Sequence, residues 1–116
     1  MKNFKQEGRY LTVTAPYGVE AGDGIKVGQI FGVAAAAAAL DEDVEIDTKG
    51  VYELDKAGSQ AWAVGDLVYW DDSAKVCTTT ASGNVLIGAA TAAVAGGAGD
   101  TLGNVRLNGS FRPDEA

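Results

Sequence analysis

The chain has 116 residues, 47% of them hydrophobic, and its 16 acidic against 9 basic side chains leave a formal net charge of −7 with no histidine and one cysteine. That is enough apolar material for the core of one domain, but it excludes an internal disulfide, a Cys/His nucleophile pair and a thiolate–imidazole zinc site. The negative charge opposes the counterion release that drives nucleic-acid binding. No run of about 18 apolar residues predicts a membrane span, and the opening MKNFKQEGRY lacks an apolar signal core, so synthesis in the cytoplasm of whatever cell makes it is expected.

Sixteen glycines and two prolines cut the chain into short segments, which predicts an all-β domain, a small barrel or β-tulip-like fold with short hairpins and at most one or two helical turns. Residues 1–10 read as an N-terminal arm, 11–110 as the β domain and 111–116 as a C-terminal tail. Leu11 and Val13 alternate with Tyr10, Thr12 and Thr14 as a strand, closed by Ala15-Pro16 because proline has no donor for a ladder. Ile25 and Val27 follow Asp23-Gly24, and a further extended segment starts at Gln29. It runs into six consecutive alanines, Ala34 to Ala39. Alanine is the best helix former, but a segment this short holds as a helix only by packing an apolar stripe, and none follows. The alanines are therefore expected to continue a strand into a connection.

Asp43-Val44-Glu45-Ile46-Asp47 alternates with a period of two, as a half-buried strand does. With Val51 to Leu54 it flanks Thr48-Lys49-Gly50, a predicted hairpin in which Gly50 takes positive φ. Ser59 to Asp66 is expected to hold a single helical turn. Leu67 to Trp70 and Lys75 to Thr80 flank Asp71-Asp72-Ser73-Ala74, a second hairpin with turn-favouring residues. Val85 to Val94 and Asn104 to Asn108 are the last strands. A Gly-Asp dipeptide recurs at Gly22-Asp23, Gly65-Asp66 and Gly99-Asp100. The intervals are unequal, so this reads as repeated turn chemistry, with the carboxylates capping local backbone donors, rather than as a repeat array.

The segments that could carry chemistry read as structural. The acidic run Asp41 to Asp47 lacks the spaced ligands and central glycine of an EF-hand and is expected to be a solvated strand edge that discourages unwanted pairing. Asp71 and Asp72 are adjacent and so diverge in extended chain, unlike a glycosidase pair. No lysine follows a glycine as a Walker loop requires, and the glycine-rich GGAGD precedes a strand pattern instead of a helix. Cys77 is expected to be a small core or interface residue. No catalytic, cofactor-binding or metal-binding residue is assigned. In WAVGDLVYWDD, Leu67 and Tyr69 fall on one strand face and Val68 and Trp70 on the other, both apolar, as in a strand buried on both sides, either inside the domain or because a subunit interface covers the second face. Val68 and Trp70 are therefore candidates for an oligomer interface. Near the start, Lys2, Lys5 and Arg9 against Glu7 give a locally basic arm with Phe4 as an apolar anchor, and Lys2, Phe4, Lys5 and Arg9 are candidates for contact with a partner surface.

MKNFKQEG, GQIFGVA at Gly28 to Ala34, the stretch from Gly50 to Ala90 and VRLNG near the end resemble a family of small phage and prophage proteins. Its members carry either the label of a RecA/RadA-like recombinase or that of a capsid cement, or head decoration, protein. A recombinase needs a nucleotide-binding loop and a much longer α/β domain, and this chain has neither. The resemblance implies a compact β domain that sits as a homotrimer on the outside of a phage head, with the major capsid protein as partner and no nucleic acid, membrane, small-molecule substrate or cofactor. A DNA-transaction protein and a tail or baseplate module are the alternatives. The resemblance assigns no role to individual residues.

Overall fold

The computed structural model of the chain describes residues 8–109. Nine strands run in the order β1 (Tyr10–Thr14), β2 (Gly24–Val27), β3 (Ile30–Ala34), β4 (Asp43–Asp47), β5 (Lys49–Asp55), β6 (Leu67–Asp71), β7 (Val76–Thr78), β8 (Val85–Ala90) and β9 (Leu102–Asn108), with no helix among the described residues. All strand pairs are antiparallel, in a four-stranded sheet of order β1-β4-β3-β2 and a five-stranded sheet of order β5-β9-β8-β6-β7. The all-β expectation holds.

The alanine run behaves as its neighbours dictate. Ala34 ends β3 and is buried, and the residues after it are irregular except for Ala38, which forms an isolated bridge to Val19. The hairpin at Asp71 to Ala74 joins β6 to β7, with Asp71 Oδ1 accepting from the backbone amides of Ser73 and Ala74.

Several expectations fail for one reason: pairing is decided between strands distant in sequence, which local pattern does not record. Thr48 to Gly50 is not a hairpin, because β4 pairs with β1 and β3 while β5 pairs with β9. Thr48 is instead the single residue by which the chain passes from one sheet to the other. Gly50 does take positive φ, +110°, but inside β5. The acidic strand β4 is an inner strand, not an edge. Ser59 to Asp66 holds no helical turn. Trp62 bridges Val94, and a tight turn from Ala63 to Asp66 follows.

The Gly-Asp turns belong to a true internal repeat. Strand order β1-β4-β3-β2 in the first half matches β5-β9-β8-β6 in the second, with β7 an insertion in the β6–β8 hairpin. Tyr10 opposite Asp47 corresponds to Val51 opposite Arg106, and Val33 opposite Asp47 to Ala89 opposite Arg106. The clamps correspond as well. Gly22 donates to the Ala34 carbonyl and Ala34 to that of Asp23; Gly65 donates to Ala90 and Ala90 to Asp66. The Val19–Ala38 bridge has its counterpart in Trp62–Val94. Unequal hairpin lengths hide the repeat from spacing alone. One further difference is a bulge: Val68 opposes Gly88 but Tyr69 opposes Leu86, so Ile87 is an extra residue on β8. A bulge inserts one residue and turns the side chains beyond it. That is why Val68, Tyr69 and Trp70 are all buried where alternation predicts otherwise.

Each half buries its own core. Ile25, Ala34, Val44 and Ile46 pack with Ala15, Val19 and Ala38 in the first, while the larger second cluster gathers both tryptophans, Val68, Cys77, Val85, Ile87, Val105 and Leu107. Phe31 and Val33 of the first half belong to the second cluster. Phe31 lies 5.0 Å from Trp70, ring centre to ring centre. Each such buried side chain stabilises by about 1.5–3 kcal/mol, so the outer face of the first sheet is fastened onto the core of the second.

Candidate functional site

Three clusters of polar side chains stand out, two at the surface and one inside. The first joins the chain start to the junction of the sheets. Arg9 Nε donates to Asp47 Oδ1 at 2.9 Å and Nη2 to Oδ2 at 3.1 Å, a bidentate fork, while the Lys49 amide donates to Oδ1 at 3.0 Å and the Tyr52 hydroxyl to Oδ2. The Arg9 hydrogen bonds, reinforced by that of Tyr52, hold the Asp47 carboxyl down to about 2, and the same carboxylate pushes Tyr52 up to about 12 and raises Arg9. Asp47 is thus buried and paired, unlike Asp41, Glu42, Asp43 and Glu45, which are exposed as the sequence predicts.

The second cluster clamps the halves together through Asp72, which sequence reading took only for a turn residue. Its Oδ1 accepts from Trp70 Nε1 at 2.9 Å and from the Tyr17 hydroxyl at 3.0 Å, and the Tyr17 oxygen in turn accepts from the Lys26 amide at 3.0 Å. Lys75 stands 4.0 Å over the Tyr17 ring. Burial first, then the neighbouring Asp72, pushes Tyr17 up to about 12. Beside this clamp a cleft of about 270 Å³ opens between the halves, walled by Tyr17, Asp23, Glu53, Asp55 and Trp70. No three metal-ligating side chains gather among the described residues.

The third cluster is internal. Lys56 is 1% exposed, and its ammonium donates to the carbonyls of Ala57 at 2.7 Å and Asp100 at 3.0 Å and faces the Trp62 ring at 5.6 Å. Trp62 Nε1 donates to Gln60, whose amide donates to Thr78. Cys77 is fully buried, as its core reading predicts, and burial pushes its thiol up to about 12. The Gly-Asp carboxylates do cap backbone donors: Asp23, Asp66 and Asp100 accept from the amides of Glu20, Ala63 and Gly97 at 2.9, 2.8 and 3.0 Å. Glu42 does the same for Ala39, completing two such turns in each half.

The sequence-predicted contact residues are scattered. Lys2, Phe4 and Lys5 lie outside the described residues. Arg9 is tied to Asp47, although its side chain stays 47% exposed. Val68 and Trp70 are covered by the chain's own core, at 0% and 3% exposure. That burial corrects their reading as residues that present an apolar face to a partner: the bulge turns the strand inward, and the side chain it leaves outside is Leu67, at 54%. Among the described residues, Val51, Val64 and Leu102 are the other large apolar side chains exposed on the second half, a signal that periodicity in single strands does not give.

Among known families, a family model described as phage cement protein matches residues 5–107. The match spans most of the chain, which therefore belongs to the phage cement protein family. No curated protein and no solved structure matches the chain.

Proposed function

We propose that this member of the phage cement protein family is a head decoration protein that binds the outside of the capsid as a trimer and stabilises the shell. The observation that carries the reading is the family match across residues 5–107. A capsid-associated structural role follows from that family; the trimer, the outer face and the stabilisation are our extension of it. A shell under internal DNA pressure fails where its subunits separate, and a rigid body that bridges several subunits at once gains avidity from many weak contacts. The two sheets locked by Phe31 and the Asp72 clamp supply such a body. The net charge of −7 suits an outward-facing coat more than a nucleic-acid partner.

The arm carrying Lys2, Phe4, Lys5 and Arg9 is our candidate for the capsid contact, and the major capsid protein is its partner. The test is to add purified protein to heads that lack it and to measure both binding and resistance to heat. Binding with raised heat resistance is expected, and deletion of residues 2–8 should weaken it. Failure of the full-length protein to bind heads, or its recovery with tails instead, overturns the proposal.

A further inference from the structure

The two halves correspond strand for strand, but they differ in what covers them. In the first half the outer sheet face carries Gly24, Phe31 and Val33, buried because that face is seated on the core opening of the second half, and Asp47, buried under Arg9 and Tyr52. Their counterparts in the second half, by pairing register, are Leu67, Leu86, Ala89 and Arg106. These are exposed or half-buried. The converse holds at the core openings. Trp70 and Val85, which pair at the mouth of the second half, are 3% and 1% exposed beneath Phe31 and Gly24. Their counterparts Val27 and Ile30, paired at the mouth of the first half, remain partly exposed at the edge of its cluster.

Among the described residues, one chain therefore contains one joined pair of mating surfaces and leaves one of each kind unpaired. From this we infer that the Leu67, Ala89 and Arg106 face of one copy seats on the Val27 and Ile30 mouth of the next, repeating between chains the contact already made within one. Because the two surfaces differ, the contact is head-to-tail, and such contacts close into rings when the rotation permits. The occupant is a second copy, since the surface already seated on the equivalent opening is a copy of the same fold. The residue pair at the centre is given by the internal contact: a Cβ on Gly24 would lie 2.8 Å from the Trp70 ring, and the corresponding residues between chains are Leu67 and Val27. This inference rests on the self-association in the proposed function and not on its capsid partner.

The test uses the full-length chain with cysteine placed at Leu67, at Val27 or at both, treated with a short bismaleimide. Cys77 is buried and serves as an unreactive background. The double variant is expected to give covalent multimers that stop at the native oligomer size, while either single variant stays monomeric under denaturing conditions. Leu67→Glu, at an exposed site that leaves the fold intact by circular dichroism, should shift the mass by light scattering from oligomer to monomer. Single variants that crosslink as well as the double one, an oligomer untouched by Leu67→Glu, or a wild-type monomer at micromolar concentration would each overturn the inference. Head binding, measured in parallel, separates the readings: loss of binding with crosslinking retained removes the capsid partner alone.

Discussion

Gly88 and Arg106 approach so closely across the β8–β9 ladder that a Cβ on Gly88 would lie 2.0 Å from the Arg106 carbonyl oxygen. The repeat places Gly32 in the same relation to Asp47, whose carbonyl oxygen would be 2.9 Å from an added Cβ. Both glycines let the backbones of neighbouring strands come close together. Gly88→Ala must push β9 away and is expected to lose about 3 kcal/mol or more, at the upper end of overpacking costs. Gly99→Ala, where nothing lies within 4 Å, should stay within about 0.5 kcal/mol of wild type. Urea unfolding of the two variants checks the contrast.

Acid should weaken the fold through Asp47. Its carboxyl is held at about 2 against the ordinary 3.8, so between those values the unfolded chain binds the proton and the folded one does not. The stabilisation is complete above pH 4 and is lost as pH falls through 2. With Arg9 half exposed and screened, it is worth on the order of 1 kcal/mol. Asp47→Asn should therefore be less stable than wild type at pH 7 and should show a smaller loss between pH 4 and 2. Equal pH dependence in urea titrations would show that the pairing with Arg9 contributes nothing.

The turn carboxylates should act independently. Asp23→Ala and Asp66→Ala each remove one acceptor from an exposed backbone amide, in turns of different halves, at a cost of about 1 kcal/mol apiece, comparable to losing a helix cap. The double variant should lose about 2 kcal/mol, because the sites share no partner. Thermal melts of the three proteins test this additivity.

Cys77 should report opening of the second core. A thiol fully buried and pushed up to about 12 should be inert to an aromatic disulfide reagent at pH 8 in the folded protein and reactive in urea, since the thiolate is the nucleophile. Prompt labelling of native protein would show that this cluster opens readily.

Strand positions were legible in the sequence wherever alternation was local, as in Tyr10 to Thr14 and Asp43 to Asp47, and the hairpin at Asp71 was legible from its turn residues. Partners were not. Nothing in residues 43–55 distinguishes a hairpin from a crossover, because the competing pairings, β4 with β1 and β5 with β9, involve residues far along the chain. The repeat was half legible. Its turns stood out as Gly-Asp, but the first half uses Glu42 where the second uses Asp100, and the β7 insertion destroys the even spacing. The interface reading failed at Val68 and Trp70 because a bulge on the neighbouring strand, not their own segment, decides which way they face. Lys56 gave no signal at all. A lysine just past a strand reads as solvated, and only the fold shows the two carbonyls and the Trp62 ring that make its burial tolerable.

The single-residue joint at Thr48 also bears on whether two chains can exchange halves. Proteins built from two matching units are prone to domain swapping, in which one unit of each chain pairs with the other chain's. Swapping needs a hinge that can straighten. Here Thr48 is buried, and both its amide and its hydroxyl donate to the Arg9 carbonyl, at 2.9 and 2.8 Å. Straightening the joint would strip those bonds from a buried residue and unseat Phe31 at the same time. Each chain is thereby kept self-contained, so a high local concentration of chains adds neighbours without exchanging halves.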